Sequence, residues 1–232
     1  MVHSEKPVIA VDCDEVLAQF LPALIRYHNA KYSTTLELKD FHSYRFCEVW
    51  GGTNEEATEK IHDFFETDHF LRDLAPMPGA LEVLESFKEK FTFVVVTSRQ
   101  HIIEQATRDW LQNYFPNVFS DALFGNHWTK DSPDPNAINA TKRTKPEMCQ
   151  AVNAIAIIDD APSYAVQCAD VVKKVLLYGT YSYNANPEGG LPANVVRTVD
   201  WEEFSKTCLP KGLNRHTRRS VSCGLAVIDN ST

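Results

Sequence analysis

The sequence predicts an α/β protein: a parallel sheet covered by helices on both faces, with a small helical segment inserted after the first strand. Short apolar runs alternate along the chain with stretches of helical periodicity, as in parallel sheets. The runs are almost continuously apolar, which is typical of strands buried on both faces. Polar residues of catalytic type stand where several runs end. At 232 residues, 44% of them hydrophobic, the chain is long enough to bury such a core.

The first predicted strand begins at Val8 and ends in two acids, Asp12 and Asp14. A period of two directs both side chains to the same side of the strand. Ligands bind at the carboxyl ends of strands in an open α/β sheet, and a close acidic pair suits a hard cation such as Mg²⁺. A strand end followed by a solvated acidic turn explains the pair equally well. The two acids are therefore a candidate metal site that needs support from the rest of the chain.

Residues 18–76 are predicted to form a small helical cap, because apolar residues recur at helical spacing in 18–33 and in 54–70. A segment inserted at this place can lie over the sheet end as a lid and exclude water. The stretch between the two predicted helices is aromatic. Four aromatic residues of the cap either face the site or form the cap's own core: Phe20, Tyr44, Phe46 and Trp50.

The second predicted strand, residues 91–98, ends in two hydroxyl residues, Thr97 and Ser98, and Arg99 follows them. The other predicted elements continue the alternation of helix and strand. They are helices at 80–90, 102–115 and 163–170, and strands at 121–124, 154–158 and 174–178, the last of which ends the sheet.

A second acidic pair, Asp159 and Asp160, closes the strand predicted at 154–158. Before that strand, a helix is predicted to begin at Lys145, where Pro146 marks the start. Lys142 and Arg143 are nearby rivals for a cationic role. The proline-initiated helix would aim Lys145 at the site, so Lys145 is preferred.

Composition limits the function. The net charge of −8 argues against a general nucleic-acid binder, although a metal and a few local cations can still attract a small phosphorylated molecule. Neither a signal peptide nor a run of membrane-spanning length is recognisable, and the six cysteines lack zinc-site spacing. We expect a cytoplasmic protein with its α/β core in residues 1–17 and 77–205. Residues 206–232 are expected to form a disordered or loosely docked tail.

Taken together, the polar strand ends resemble the four motifs of the haloacid-dehalogenase superfamily, in its phosphatase branch, whose sheet is Rossmann-like. The motifs match in order as Asp12-Cys13-Asp14 with Val16, Thr97 closing Val94–Val96, Lys145, and Asp159-Asp160 closing Ala154–Ile158. Residues 18–76 correspond to the type-one cap of that family. The chain is most similar to the 5′(3′)-deoxyribonucleotidase group, although Glu15 stands where many relatives carry Gly.

The resemblance implies Mg²⁺ as cofactor, bound by Asp12, the backbone carbonyl of Asp14 and Asp160. Asp159 would act through a water molecule or by supporting the direct ligands, although the sequence alone does not order the last two acids. Asp12 would attack phosphorus to form an aspartyl-phosphate. Asp14 would protonate the leaving alcohol and then deprotonate the water that hydrolyses the intermediate.

The remaining motifs complete the implied site. Thr97 and the backbone amide of Ser98 would bind phosphoryl oxygens, and Lys145 would balance the charge between nucleophile and phosphate. A small phosphorylated metabolite, in particular a nucleoside monophosphate, is the expected substrate, because cap aromatics can stack a nucleobase. The expected substrate pocket contains Phe20, Tyr44, Phe46, Trp50 and Arg99.

Two other functions stay open at this point. One is a phosphomutase or a sugar-phosphate phosphatase, which the same motifs suit. The other is a non-catalytic binding or regulatory protein on the same fold. Neither a membrane nor a nucleic-acid polymer is expected as a partner, and the sequence does not indicate an oligomeric state.

Overall fold

A six-stranded parallel sheet forms the centre of the protein in a computed structural model, which describes residues 6–127 and 142–208. The strand order is β3-β2-β1-β4-β5-β6, so the α/β class and the parallel sheet predicted from the sequence are confirmed. The strands are β1 (Val8–Val11), β2 (Thr92–Thr97), β3 (Phe119–Phe124), β4 (Ala154–Asp159), β5 (Lys174–Tyr178) and β6 (Val195–Thr198).

Nine α-helices lie in the described part of the chain. Four of them, α1 to α4, fall between β1 and Pro76. They are α1 (Phe20–Tyr32), α2 (Phe46–Trp50), α3 (Asn54–Phe65) and α4 (Asp68–Leu71). The other five are α5 (Ala80–Phe87), α6 (Glu104–Tyr114), α7 (Lys145–Ala151), α8 (Pro162–Cys168) and α9 (Trp201–Cys208). Within the described ranges, none of these helices is both long and apolar enough to cross a lipid bilayer.

Two separate apolar clusters cover the two faces of the sheet. Along β2, Val95 belongs to one cluster, whereas Val94 and Val96 belong to the other. Successive residues of a strand point to opposite faces, so the two clusters lie on opposite sides. Helices α5, α6 and α9 contribute to the first cluster, and α7 and α8 to the second. This burial on both faces explains why the strands are apolar almost without interruption.

The prediction that residues 174–178 form the last strand is wrong. Strand β6 pairs with β5 and forms the edge of the sheet, and α9 follows it. The short run Val195–Thr198 comes after a segment rich in Gly, Asn and Pro, which obscured it in the sequence. Helix α9 extends to Cys208 and so includes the first three residues of the segment predicted to be a tail. Residues 209–232 lie outside the described residues.

The loop after Asp14 is held by groups that are distant in the chain. The indole Nε1 of Trp201 donates a hydrogen bond to the carbonyl of Val16 (2.8 Å), and the Tyr181 hydroxyl donates to the carbonyl of Glu15 (3.0 Å). Glu15 has a left-handed backbone with φ of 56°. Its buried carboxylate accepts a hydrogen bond from the amide of Leu21 (2.6 Å), which satisfies an amide in the first turn of α1. Glu15 thus joins the end of β1 to the start of the inserted helices.

Helices α1, α3 and α4 pack around an aromatic cluster. The ring of Phe64 contacts Phe20, Tyr27 and Phe70 with centroid distances of 5.4 Å in each case. Helix α3 begins with a capping box in which Thr53 and Glu56 bond each other's backbone amides. The division of the chain at residues 17 and 76 into core and cap stays a prediction.

Candidate active site

Strand order places the acidic motifs at the point where ligands bind in this type of sheet. The order reverses between β1 and β4, and the crevice outside their carboxyl ends is the usual ligand site. Asp12 follows β1, Asp159 ends β4, and Asp160 follows it. Each of the three offers a carboxylate oxygen, and these oxygens lie within 4.8 Å of one another. All three side chains are buried. The two acidic pairs of the sequence therefore contribute to one site.

Lys145 joins this cluster from the start of α7. Its Nζ lies 2.6 Å from Oδ2 of Asp12 and 2.5 Å from Oδ2 of Asp159, and the side chain is fully buried. A capping box between Thr144 and Glu147 fixes the helix start. The first helical residue is thereby directed at the carboxylates. Of the three candidate cations, only Lys145 makes ion pairs with this acidic cluster in the described residues.

Burial sets the electrostatics of the cluster. It raises the pKa of Asp12 to about 7; the Lys145 ammonium opposes this rise, and the Asp159 carboxylate adds to it. Burial likewise raises the pKa of Asp160 well above its usual value. Burial lowers the pKa of Lys145, but the Asp12 and Asp159 carboxylates outweigh this effect, so the pKa lies well above its ordinary value. Three buried carboxylates share one ammonium, and an oxygen donor set of this charge fits Mg²⁺.

Asp14 has a different partner. Its Oδ1 accepts hydrogen bonds from Nη2 (2.7 Å) and Nε (3.1 Å) of Arg99. The guanidinium also donates from Nη1 to the hydroxyl of Thr107 (2.9 Å) and lies over the ring of Phe70, 5.3 Å from its centroid. The side chain of Arg99 is 2% exposed and that of Asp14 is 22% exposed. Asp14 thus reaches the surface of the site, while Arg99 holds it from behind.

A cavity of about 430 Å³ connects the acidic cluster with the inserted helices. A cavity of this size is in the usual range for a small-molecule site. Asp12, Asp14, Asp160 and Lys145 line one side. Three of the predicted aromatic residues, Phe20, Tyr44 and Phe46, line the other side, and Arg99 also borders it.

Trp50 does not border the cavity but lies behind the aromatic residues that do. Its ring stacks on Phe46 (centroids 5.0 Å apart, planes at 18°) and on His28 (4.6 Å, 21°). Phe46 and Trp50 are four residues apart in α2, so their side chains lie on the same face of one short helix. Phe46 stands in front and borders the cavity, and Trp50 supports it. The sequence treated both rings alike because their spacing contains no information on which one is nearer the site.

The family described as "5' nucleotidase, deoxy (Pyrimidine), cytosolic type C protein" matches residues 6–128, more than half of the chain. This chain belongs to that family. Its relatives include a 5'(3')-deoxyribonucleotidase of Bacillus subtilis, which is 23% identical over 206 residues covering 88% of this chain and 99% of the relative. The expected resemblance is confirmed: the protein is a phosphoric monoester hydrolase near the nucleotidase group.

Solved structures support the fold of this deoxynucleotidase family member. A "predicted phosphatase" from Clostridium acetobutylicum has a TM-score of 0.60 at 18% identity, covering 88% of this chain and 98% of that chain. A haloacid dehalogenase-like hydrolase from Streptococcus pneumoniae has a TM-score of 0.54 at 11% identity, covering 75% and 84%. At these identities the likeness shows the fold alone.

The two hydroxyl residues, Thr97 and Ser98, lie at the end of β2 beside the buried acidic cluster. Thr97 is buried, and its Oγ1 accepts a hydrogen bond from the amide of Arg99 (3.2 Å). The Ser98 hydroxyl is buried at the cavity, close to the side chain of Tyr164. Thr97 and Ser98 therefore both border the cavity beside the acidic cluster.

Three site residues were missed in the sequence. The Tyr164 ring covers Lys145, with Nζ 4.4 Å from its centroid, and the hydroxyl of Tyr164 lies 3.0 Å from Nδ1 of His127. Tyr183 donates a hydrogen bond to Oδ2 of Asp160 (2.6 Å). His127 follows the end of β3 by three residues and Tyr183 follows β5 by five. The strand-end criterion that identified the acids would have found both, because all carboxyl ends of a parallel sheet meet at one edge.

Proposed function

We propose that this hydrolase acts on nucleoside monophosphates, deoxyribonucleotides above all, through an aspartyl-phosphate on Asp12. One observation carries the proposal: a single cavity has a buried carboxylate and ammonium cluster on one side and a wall of aromatic rings on the other. The first side suits a phosphate and the second a nucleobase. The names of the deoxyribonucleotidase relatives support the same substrate class. The description of the family as cytosolic supports a cytoplasmic location.

Mg²⁺ is the proposed cofactor, held by the carboxylates of Asp12 and Asp160 and by the backbone carbonyl of Asp14. Asp159 has a supporting place, because its oxygens already accept from Lys145 (2.5 Å) and from the amide of Ala161 (2.9 Å). Asp160 borders the cavity and is oriented by Tyr183. When bound, the cation supplies positive charge that offsets the anionic phosphate.

Phosphoryl transfer begins at Asp12. An Asp12 carboxylate oxygen attacks phosphorus, the bond from phosphorus to the ester oxygen breaks, and the electron pair leaves with the alcohol. Lys145 forms ion pairs with both Asp12 and Asp159 and thereby orients the nucleophile. The Thr97 hydroxyl and the Ser98 backbone amide bind phosphoryl oxygens, and the position of both residues at the cavity supports this role.

Asp14 exchanges protons in both halves of the reaction. It donates a proton to the leaving alkoxide, and its carboxylate then accepts a proton from the water that attacks the aspartyl-phosphate. The products are the alcohol and inorganic phosphate, and both aspartates return to their starting forms. Residues 18–76 act as a cap that closes the cavity against bulk water and offers Phe46 to the base.

A substrate panel tests the proposal. We expect purified protein with Mg²⁺ to release phosphate from deoxyribonucleoside monophosphates with a kcat/KM roughly tenfold or more above that for hexose phosphates, as base stacking predicts. A preference for hexose phosphates would overturn the nucleotidase assignment in favour of a sugar-phosphate phosphatase. Transfer of phosphate between two sugar positions without release would indicate a phosphomutase.

Metal binding has a separate readout. Mg²⁺ that binds only the folded state raises the melting temperature, and saturation at about a hundred times Kd adds about 2.7 kcal/mol to the free energy of unfolding. We expect this shift in the wild type and in Asp170→Asn, a matched control at an exposed acid. Asp160→Asn should reduce the shift. An equal shift in all three proteins would show that Mg²⁺ binds elsewhere.

A further inference from the structure

The guanidinium of Arg99 is already occupied by contacts with other side chains of this protein. Its guanidinium donates to Asp14 and to Thr107 and lies over the ring of Phe70. Thr107 is itself fully buried, and its hydroxyl proton goes to the carbonyl of Ile103 (2.8 Å). The hydroxyl oxygen of Thr107 is therefore directed to accept from Arg99, which fixes one end of the guanidinium.

The Asp14 carboxylate is held unevenly by this arginine. Oδ1 accepts from two nitrogens, Nη2 at 2.7 Å and Nε at 3.1 Å, whereas Oδ2 shares only the Nε proton at 3.2 Å. These three contacts define the plane of the carboxylate, and Oδ2 makes only the longest of them. Because the Asp14 side chain borders the cavity, Oδ2 is the oxygen better suited to exchange a proton with a substrate.

Burial makes a purely stabilising role a poor explanation for the pair. The Arg99 side chain is 2% exposed, and a buried ion pair contributes little to stability compared with well-packed apolar residues of similar volume. Its planar, two-pronged donor geometry is also specific to arginine, since a lysine ammonium cannot hold a carboxylate plane and Thr107 together. The ion pair therefore serves to orient the Asp14 carboxylate and adds little to the stability of the fold.

We propose that Arg99 is the positioning residue for Asp14, and that the contact with Phe70 makes this positioning depend on the inserted helices. Phe70 belongs to α4, Thr107 to α6, and Asp14 to the loop after β1. Arg99 thus joins three separate parts of the chain at the group that exchanges protons. The inference rests on the proposed function, because it assigns to Arg99 a role through Asp14 in that reaction.

A double-mutant cycle tests the coupling. We expect Arg99→Met to lower kcat for nucleoside monophosphates roughly 10- to 100-fold with little change in KM. In an Asp14→Asn background the same substitution should lower kcat by no more than about twofold, because the group it positions has already lost its function. Additive losses would overturn the proposal, and a rise in KM as the main effect would return Arg99 to direct substrate binding.

The leaving group gives a second readout that a merely structural role would not change. In single-turnover measurements, Arg99→Met should slow aspartyl-phosphate formation from a nucleotide, whose alkoxide needs a proton. Formation from p-nitrophenyl phosphate should be nearly normal, because p-nitrophenolate leaves without a proton. Equal slowing of both substrates, with a lowered melting temperature, would show a structural role only.

Matched variants keep the test interpretable. Arg108 also pairs with a carboxylate, Glu104, and lies over an aromatic ring, Phe124 (5.2 Å), but outside the cavity. Arg108→Met should leave kcat unchanged. If Arg99→Met does not fold, Thr107→Val removes one anchor and should show the same leaving-group pattern to a smaller extent; its absence in a folded Thr107→Val protein would overturn the proposal. A wild type inactive on every monoester would instead refute the proposed function, and this inference with it.

Discussion

The sheet end and the inserted helices form the two sides of one cavity, but they place their side chains by different means. At the sheet end, backbone register does the placing: Val11 pairs with Val95 on one side and with Ile158 on the other, so the residues that follow lie at the same level. In the inserted helices, packing of rings does the placing. Phe46 borders the cavity because Trp50 and His28 are stacked behind it.

The two sides also differ in what they bury. The sheet end buries three carboxylates against one ammonium, and burial raises the pKa values of Asp12 and Asp160. The inserted helices bury mostly apolar and aromatic groups. Buried charges interact strongly and allow few substitutions, whereas apolar contacts are individually weak. We therefore expect large effects on catalysis from the first side and smaller effects, on selectivity and stability, from the second.

The largest effect should come from Asp12→Asn. Loss of the nucleophile should lower kcat by several orders of magnitude on every substrate. The melting temperature should stay equal or rise, because the change removes one of three crowded buried carboxylates. Asp170→Asn at an exposed position is the matched control. A folded Asp12→Asn protein with undiminished phosphatase activity would refute the mechanism.

Lys145→Met should come next and should affect both activity and stability. Removal of a donor that stabilises the reacting charges typically lowers kcat by about 10²- to 10³-fold. Asp12 and Asp159 would then be buried without their cation, which typically costs about 3–5 kcal/mol of unfolding free energy. Thermal unfolding and steady-state kinetics measure the two effects.

Lys142→Met provides the comparison for Lys145→Met, since Lys142 is an exposed cation of the same segment. We expect it to leave turnover and melting temperature close to wild type. Equal losses of activity and melting temperature in both variants would mean that the ion pairs of Lys145 have no special role in the site.

A pair of substitutions in α2 separates the front of the aromatic wall from its support. Phe46→Leu should weaken kcat/KM for nucleotides by up to roughly a hundredfold, as loss of base stacking predicts, while p-nitrophenyl phosphate hydrolysis stays nearly normal. Trp50→Leu should lower the melting temperature and affect all substrates alike. Identical profiles for the two variants would mean that both rings only fill the cap's own core.

Glu15 lies at the junction of the two sides, and its substitution should affect stability alone. Glu15→Ala removes the acceptor for the Leu21 amide and should lower the free energy of unfolding by about 1–2 kcal/mol. Glu15→Gln keeps an acceptor oxygen and should unfold at nearly the wild-type temperature. If both variants unfold at the same temperature, the hydrogen bond from the Leu21 amide to Glu15 contributes nothing to stability.

The smallest effect is a pH dependence within the inserted helices. Burial, with a contribution from Lys60, lowers the pKa of His28 to about 4. The folded state therefore favours neutral His28, so this stabilisation is complete above the unfolded pKa of about 6.5 and is lost as the pH falls from 6.5 towards 4. Urea unfolding of His28→Phe should lack this part of the acid loss. Parallel pH curves for variant and wild type would contradict it.

Most of the sheet end could be predicted because its position depends on local pattern. Asp12, Thr97 and Asp159 each follow an apolar run, and parallel strands bring their carboxyl ends to one edge whatever the side-chain details. His127 and Tyr183 lie three and five residues beyond their strands, and the short strand β6 follows a segment rich in Pro and Gly. These misses came from short or irregular segments, where periodicity is weak.

The sequence by itself determined the alternation of strands and helices as far as β5, and the polar residues that stand at the strand ends. Tertiary structure alone decided that Phe46 rather than Trp50 borders the cavity, that Arg99 holds Asp14 across 85 positions of chain, and that Tyr183 reaches Asp160. The physical reason is the distance along the chain over which each kind of interaction acts. Hydrophobic periodicity reports which face of an element is buried, whereas the partner of a polar or aromatic side chain depends on elements that meet only in the folded protein.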